Sequence, residues 1–197
     1  MPWDRALAEA VLVRLAPGQT ALFGYGSLLS IRSLEATLGR KHEGPYVTCY
    51  LRGWRRVWDI AMPNGAFYYE TESGRMYPQS ILYLNVRREP ETRLNGVIFV
   101  VNAAELANLD KRESVYDRIE ITGELENVRV EGGPAYIYVG QPEYRVENVL
   151  RAEMAAIRAT YLQILEDGFA AHGPEFRAIY EASSDPVPRH LVIDDRK

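Results

Sequence analysis

The sequence predicts an α+β fold, with strands through the first three quarters of the chain and helices closing it. Three observations predict it. Runs rich in Val, Ile, Tyr and Thr, some of alternating polarity, recur from Thr20 to Val139. A helical period with small residues at Ala152, Ala156 and Ala159 sets in only after Pro142. No strand–helix alternation runs through the chain, which separates it from a doubly wound α/β protein.

Leu7, Val11 and Leu15 recur four apart, so Asp4 to Leu15 reads as a short amphipathic helix stopped by Pro17-Gly18. Thr20 to Tyr25 reads as a strand, and Gly24-Tyr25-Gly26-Ser27 as a turn. Ser30 can cap a helix through Leu38, with Gly39 ending it. Val47 to Ile60 reads as one long strand bent at Gly53, or as two strands. Pro63 to Pro78 reads as an irregular excursion. Ser80 to Val86 and Leu94 to Val101 read as strands joined by the polar turn Arg88 to Arg93.

Asn102 and Glu105 have capping-box spacing ahead of a helix that buries Leu106 and Leu109. Tyr116 to Glu126 alternates in part like a half-buried strand. Val128 to Glu131 and Ala135 to Val139 flank Gly132-Gly133-Pro134 and read as a hairpin. Val146 to Leu165 reads as a helix ended by Asp167-Gly168, and Glu175 to Glu181 as a second one. The division expected is one domain over 1–184 and a charged C-terminal tail over 185–197.

With 197 residues, 47% hydrophobic and 25% charged, the chain can bury one ordinary core. Its net charge of −4 offers no basic field for phosphates, so neither nucleic-acid nor membrane partners are expected. The single cysteine, Cys49, allows no intrachain disulfide and no Cys-built zinc site. The N-terminus lacks the apolar core of a signal peptide, and no run of 18 apolar residues exists. A cytoplasmic protein is the expectation. There are 13 Tyr against 5 Phe, a bias that fits a polar-lined cavity or exposed strand faces.

Gly24-Tyr25-Gly26 begins like a dinucleotide fingerprint, but Leu29 stands where the third glycine belongs. No Gly-Lys-Ser/Thr follows, and Ser27 lies in no G-x-S-x-G elbow. Two glycines at a strand end, with a helix start after Ser30, could still present main-chain N–H groups to a carboxylate or oxyanion. Spacing alone favours a plain tight turn. His42, His172 and His190 are isolated, so no metal is expected. Cys49 reads as core. Arg52, Arg55 and Arg56 read as a solvated strand face, and Glu113, on its own residues, as a helix-end glutamate.

Several segments in order resemble the γ-glutamylcyclotransferase-like superfamily, which includes ChaC-type enzymes and γ-glutamylamine cyclotransferases. Phe23-Gly24-Tyr25-Gly26-Ser27-Leu28 resembles its signature loop, and Gly53-Trp54-Arg55-Arg56 its second strand region. Tyr83-Leu84-Asn85 and Asn95-Gly96-Val97-Ile98-Phe99 resemble the following strands. Leu109-Asp110-Lys111-Arg112-Glu113, with Tyr116-Asp117-Arg118, resembles the segment bearing the catalytic glutamate, and Ala135-Tyr136-Ile137-Tyr138 a later strand. Many members carry glycine where this chain has Ser114.

The resemblance implies a small mixed β-barrel with flanking helices and release of 5-oxoproline from a γ-glutamyl amide or peptide. In that reaction the substrate's α-amine attacks its own γ-carbonyl, with no cofactor. It implies Glu113 as general acid/base, Tyr25, Gly26, Ser27 and Leu28 as substrate cradle, and Tyr116 and Tyr136 as cavity hydroxyls. The alternatives are a non-catalytic binder of small molecules on the same scaffold, and a cyclotransferase specialised for γ-glutamylamines or a γ-glutamyl-tagged metabolite. The amine leaving group and the oligomeric state stay open.

Overall fold

The fold was analysed in a computed structural model, which describes residues 10–147 and 155–197. The chain is α+β. Its centre is a pair of long antiparallel strands, β3 (Tyr46–Pro63) and β6 (Ser80–Asn102). Ahead of them come β1 (Val11–Arg14), β2 (Gln19–Gly24) and α1 (Ile31–Leu38); between them lies a small hairpin of β4 (Tyr69–Thr71) and β5 (Gly74–Met76). After them come α2 (Ala103–Arg112), β7 (Tyr116–Glu120), β8 (Val128–Glu131) and β9 (Ala135–Gly140). The chain closes with β10 (Ala155–Arg158), α3 (Ala159–His172), α4 (Pro174–Ala182) and β11 (Val192–Ile193).

The main sheet runs β11-β10-β6-β2-β9-β7, with β3 on β6. One edge of β6 pairs with β3 along its length. The other edge is shared: Ser80 and Ile81 meet β10, and Val97 to Asn102 meet β2. Between those two pairings the end of β9 is tied to β6 through a side chain, Gly140 N–H donating to Asn85 Oδ1 at 2.7 Å. The sheet thus wraps around a core that includes Phe23, Leu51, Ile98, Phe99, Leu109 and Ile137, all at 1% exposure or less. Close packing fixes some glycines. A Cβ on Gly96 would lie 2.5 Å from Gly24 O and from the Phe23 ring.

Several local expectations are corrected. The segment Val11–Arg14 is a strand, parallel to β8, where a helix was expected; the rest of that expected helix, residues 4–9, lies outside the described residues. Apolar residues four apart also fit a strand that buries only Val13 against a neighbour. The two strands expected on either side of Arg88 to Arg93 are one. Residues 89–92 bulge opposite Gly53, whose φ of 78° takes up the bend in β3.

Gly132 to Pro134 makes no hairpin, because β8 pairs with β1 while β9 pairs with β2 and β7. The strand expected from Tyr116 to Glu126 ends at Glu120 and gives way to a 3₁₀ turn, Thr122–Glu124. Of the helix expected from Val146 to Leu165, residues 148–154 lie outside the described residues, and Ala155–Arg158 is a strand. Gly168 sits inside α3 rather than ending it, since a Cβ there would lie 3.0 Å from Leu29 Cβ and the helix packs closely on the cradle turn. Residues 185–197 pack on the body through β11 and the buried Asp195.

Candidate active site

Strand β2 ends at Gly24, and the chain passes through Tyr25 and Gly26 into a 3₁₀ turn, Ser27–Leu29. The turn closes with Leu29 N–H to Gly26 O at 2.9 Å and Ser30 N–H to Ser27 O at 3.2 Å. These bonds leave the N–H groups of Gly26, Ser27 and Leu28 outside the turn's own pairing, as at any helix start. The Ser30 side chain then caps α1. Gly26 lets a neighbour close in: a Cβ there would lie 3.0 Å from the Tyr161 hydroxyl of α3.

The facing wall comes from the far end of α2. Asn102 and Glu105 form a reciprocal capping box at its start, and Leu109 buries its inner face completely. Glu113 stops the helix, its N–H bonded to Leu109 O at 2.8 Å and its carbonyl accepting from Tyr116 N–H at 2.8 Å. The Glu113 side chain is 17% exposed. Burial raises its pKa above the usual glutamate range, and the neighbouring Arg112 guanidinium opposes that rise.

Tyr25, Gly26, Ser27, Leu28, Glu113 and Tyr116 line one small cleft, together with Tyr138, Tyr161 and Leu84. Tyr136 is not among its lining residues. It lies beside Leu22 in the parallel pairing of β9 with β2, and Arg118 sits over its ring at 5.3 Å. Tyr138 is two positions further along the same face, abreast of the strand end where the cradle begins, so it occupies the place expected for Tyr136.

The phenols are fixed by main-chain and carboxylate partners. Tyr25 Oη donates to Tyr138 O at 2.9 Å, Tyr116 Oη to Leu84 O at 2.8 Å, and Tyr138 Oη to Asp110 Oδ1 at 2.7 Å. Burial, reinforced by the charge of Glu113, holds the pKa of Tyr25, Tyr116 and Tyr161 well above the ordinary phenol. All three therefore act as neutral hydroxyls, able to donate hydrogen bonds but not to serve as anions.

Two arginines missing from the expected site stand against the cradle. Arg112 Nη2 donates to Ser27 Oγ at 2.7 Å, while its Nε lies 3.3 Å from Glu113 Oε1. Arg56, expected on a solvated face, is wholly buried. Its Nε donates to Tyr25 O at 3.0 Å and its Nη1 to Ser183 Oγ at 3.0 Å. Its Nη2 bonds Asn95, and its guanidinium stacks 3.6 Å from the Tyr180 ring centroid. No carboxylate pairs with it among the described residues, and burial lowers its pKa to about 10. Alternation along β3 was the available signal, since Trp54 and Arg56 share the face that turns inward. Cys49 is buried core, its thiol pushed up to about 12.

No protein-family model matches the chain, and no curated protein matches it. Solved structures do. A structure titled gamma-glutamyl cyclotransferase superposes with a TM-score of 0.58 at 15% identity, covering 89% of this chain and 94% of that one. YkqA from Bacillus subtilis gives 0.52 at 17% identity over 88% of this chain and 54% of its own. An uncharacterized protein from Homo sapiens gives 0.50 at 16% identity, covering 86% and 90%. The class these likenesses define is a fold class. The chain has the γ-glutamylcyclotransferase-like fold.

Proposed function

We propose that this chain is a γ-glutamylcyclotransferase, releasing 5-oxoproline from a γ-glutamyl amide or peptide with Glu113 as general acid/base. The observation that carries the reading is the meeting of a largely buried carboxyl with an open-backed turn. Glu113 and the Tyr25-to-Leu28 turn share one cleft, and Arg112 touches both.

In this reading the free N–H groups of the turn hold the γ-glutamyl group, and the positive charge of Arg56 behind Tyr25 favours its negative charge there. The Glu113 carboxylate takes a proton from the substrate's α-ammonium group. The freed amine attacks the γ-carbonyl, a C–N bond forms, and the C–N bond to the leaving amine breaks. Glu113 returns that proton to the leaving amine, and the second proton that the attacking nitrogen sheds on becoming the lactam N–H passes the same way, so the amine leaves as an ammonium ion. A carboxyl with a raised pKa suits both halves of this shuttle. Because the attack is intramolecular, holding the substrate folded is itself a large part of the catalysis, up to ~7–11 kcal/mol.

The test is 5-oxoproline release from a panel of γ-glutamyl dipeptides, glutathione and γ-glutamylamines. The expected result is turnover of at least one, reduced ~10²–10⁴-fold by Glu113→Gln. Ser27→Ala should retain part of the activity, because Ser27 Oγ accepts from Arg112 and among the described residues donates to no base that would make it a nucleophile. Binding of panel members without any 5-oxoproline would favour a binding protein instead.

A further inference from the structure

Arg112 stands at the end of α2, where a basic residue is favoured merely by the helix dipole. Its contacts go beyond that. Nη1 donates to Thr37 Oγ1 at 2.7 Å. Nη2 donates to Ser27 Oγ at 2.7 Å and to Ser33 Oγ at 3.3 Å. Nε faces Glu113 Oε1 at 3.3 Å. A guanidinium has five N–H donors. Four of those of Arg112 are committed to three hydroxyls and one carboxylate of the same chain. Its planar fork ties together α1, the cradle turn and the end of α2.

On the cyclotransferase reading above, we infer that Arg112 is a positioning residue that locks the Glu113 carboxyl and the Ser27 turn into one rigid unit. It does not bind the substrate, having too few donors left. Among the described residues, the other titratable groups facing Glu113 are phenols: Tyr25 of the cradle, Tyr83 of β6, Tyr116, Tyr138 of β9 and Tyr161 of α3. All are neutral at working pH, so Arg112 is the cation that acts on this carboxyl. Two consequences separate a positioning role from a merely structural one. The charge of Arg112 keeps the proton affinity of Glu113 down, and its fork keeps the carboxyl aimed.

The experiment compares Arg112→Gln and Arg112→Lys with the parent chain. Kinetics use γ-glutamylalanine, followed as 5-oxoproline against pH. An activity-free measurement follows the Glu113 carboxyl by ¹³C NMR titration. Arg112→Gln should move the Glu113 titration, and the acid limb of kcat/KM, upward by about one pH unit. It should lower kcat at least ~10-fold with KM changed less than ~3-fold, the loss expected when a reacting group is misplaced. Arg112→Lys keeps the charge but not the fork. It should leave the titration near the parent value while kcat still falls, and it carries the same measurements if Arg112→Gln fails to fold.

A Glu113 titration unmoved in Arg112→Gln overturns the inference. So does a Lys variant with the parent kcat, or a loss confined to KM, which would make Arg112 a substrate ligand. Failure of the parent chain to turn over any γ-glutamyl compound counts instead against the cyclotransferase reading. The NMR titration still decides the role of Arg112 in that case.

Discussion

Glu113 and Arg56 are both charged side chains taken out of water, and the fold treats them differently. Among the described residues Glu113 has one cationic neighbour, Arg112, and burial outweighs it, so its pKa in the folded chain lies above the unfolded value. For a carboxyl this sign means a penalty. Between the ordinary glutamate value, about 4.3, and the raised one, the folded state holds more protons than the unfolded state, so stability falls as pH rises. The full penalty is present above the raised pKa. Glu113→Gln should therefore raise Tm at pH 7 and lose that advantage below pH about 4. Thermal melts across that range check it, and a gain that persists at low pH would assign it to packing instead. Arg56 offsets part of its burial with hydrogen bonds to Tyr25, Asn95 and Ser183 and with the Tyr180 ring, although burial still holds its pKa down at about 10. Arg56→Met removes the donors but leaves their acceptors buried. Urea unfolding should show a loss of roughly 3 kcal/mol, in the range for a broken buried network. Parent-like stability would mean that the acceptors find other partners.

At the scale of elements, the helix that carries Glu113 begins far from the cleft. Its capping box satisfies two N–H groups at the start, and Leu109 pins the middle. Asn102→Ala should cost about 1 kcal/mol in chemical denaturation and leave kcat unchanged, because the far end is held by packing and by Arg112. Local chemistry made this element legible in the sequence: Asn102 with Glu105, Ser30 with Gly39, and the glycines of the cradle all act within a few residues. Pairing partners were not legible. Residues 88–93 look like a turn because they are polar and include Pro90, yet the chain stays extended because β3 offers Gly53 as the matching bend. The same limit made a hairpin of Gly132-Gly133-Pro134, whose flanking strands find separate partners, β8 in β1 and β9 in β2 and β7.

At the scale of the whole molecule, the C-terminal segment braces the site. Asp195, 6% exposed, accepts from Thr160 N–H at 2.9 Å and from Thr160 Oγ1 at 2.6 Å at the start of α3. The next residue of α3 is Tyr161, whose hydroxyl lies over Gly26. Asp185 pairs with Arg55 Nε at 2.7 Å, and Arg196 exchanges main-chain hydrogen bonds with Tyr68. Deleting 185–197 should lower stability by roughly 3 kcal/mol or more and weaken any turnover, since α3 loses its N-terminal partner. A truncated chain with parent Tm would show that these contacts contribute nothing net.

The sequence by itself determined the α+β class, the helix caps, the cradle turn and the pairing of that turn with Glu113 as candidates. Each rests on short-range chemistry or on ordered motifs that survive without three dimensions. Only the tertiary structure decided that Tyr138 and Tyr161, not Tyr136, complete the cleft, that Arg56 lies inside, and that Arg112 joins Ser27 to Glu113. The physical reason is that burial and contact depend on which distant strands meet. Arg56 is exposed or buried according to what covers its face of β3, and here that cover is α4 with Ser183, contributed by the far end of the chain.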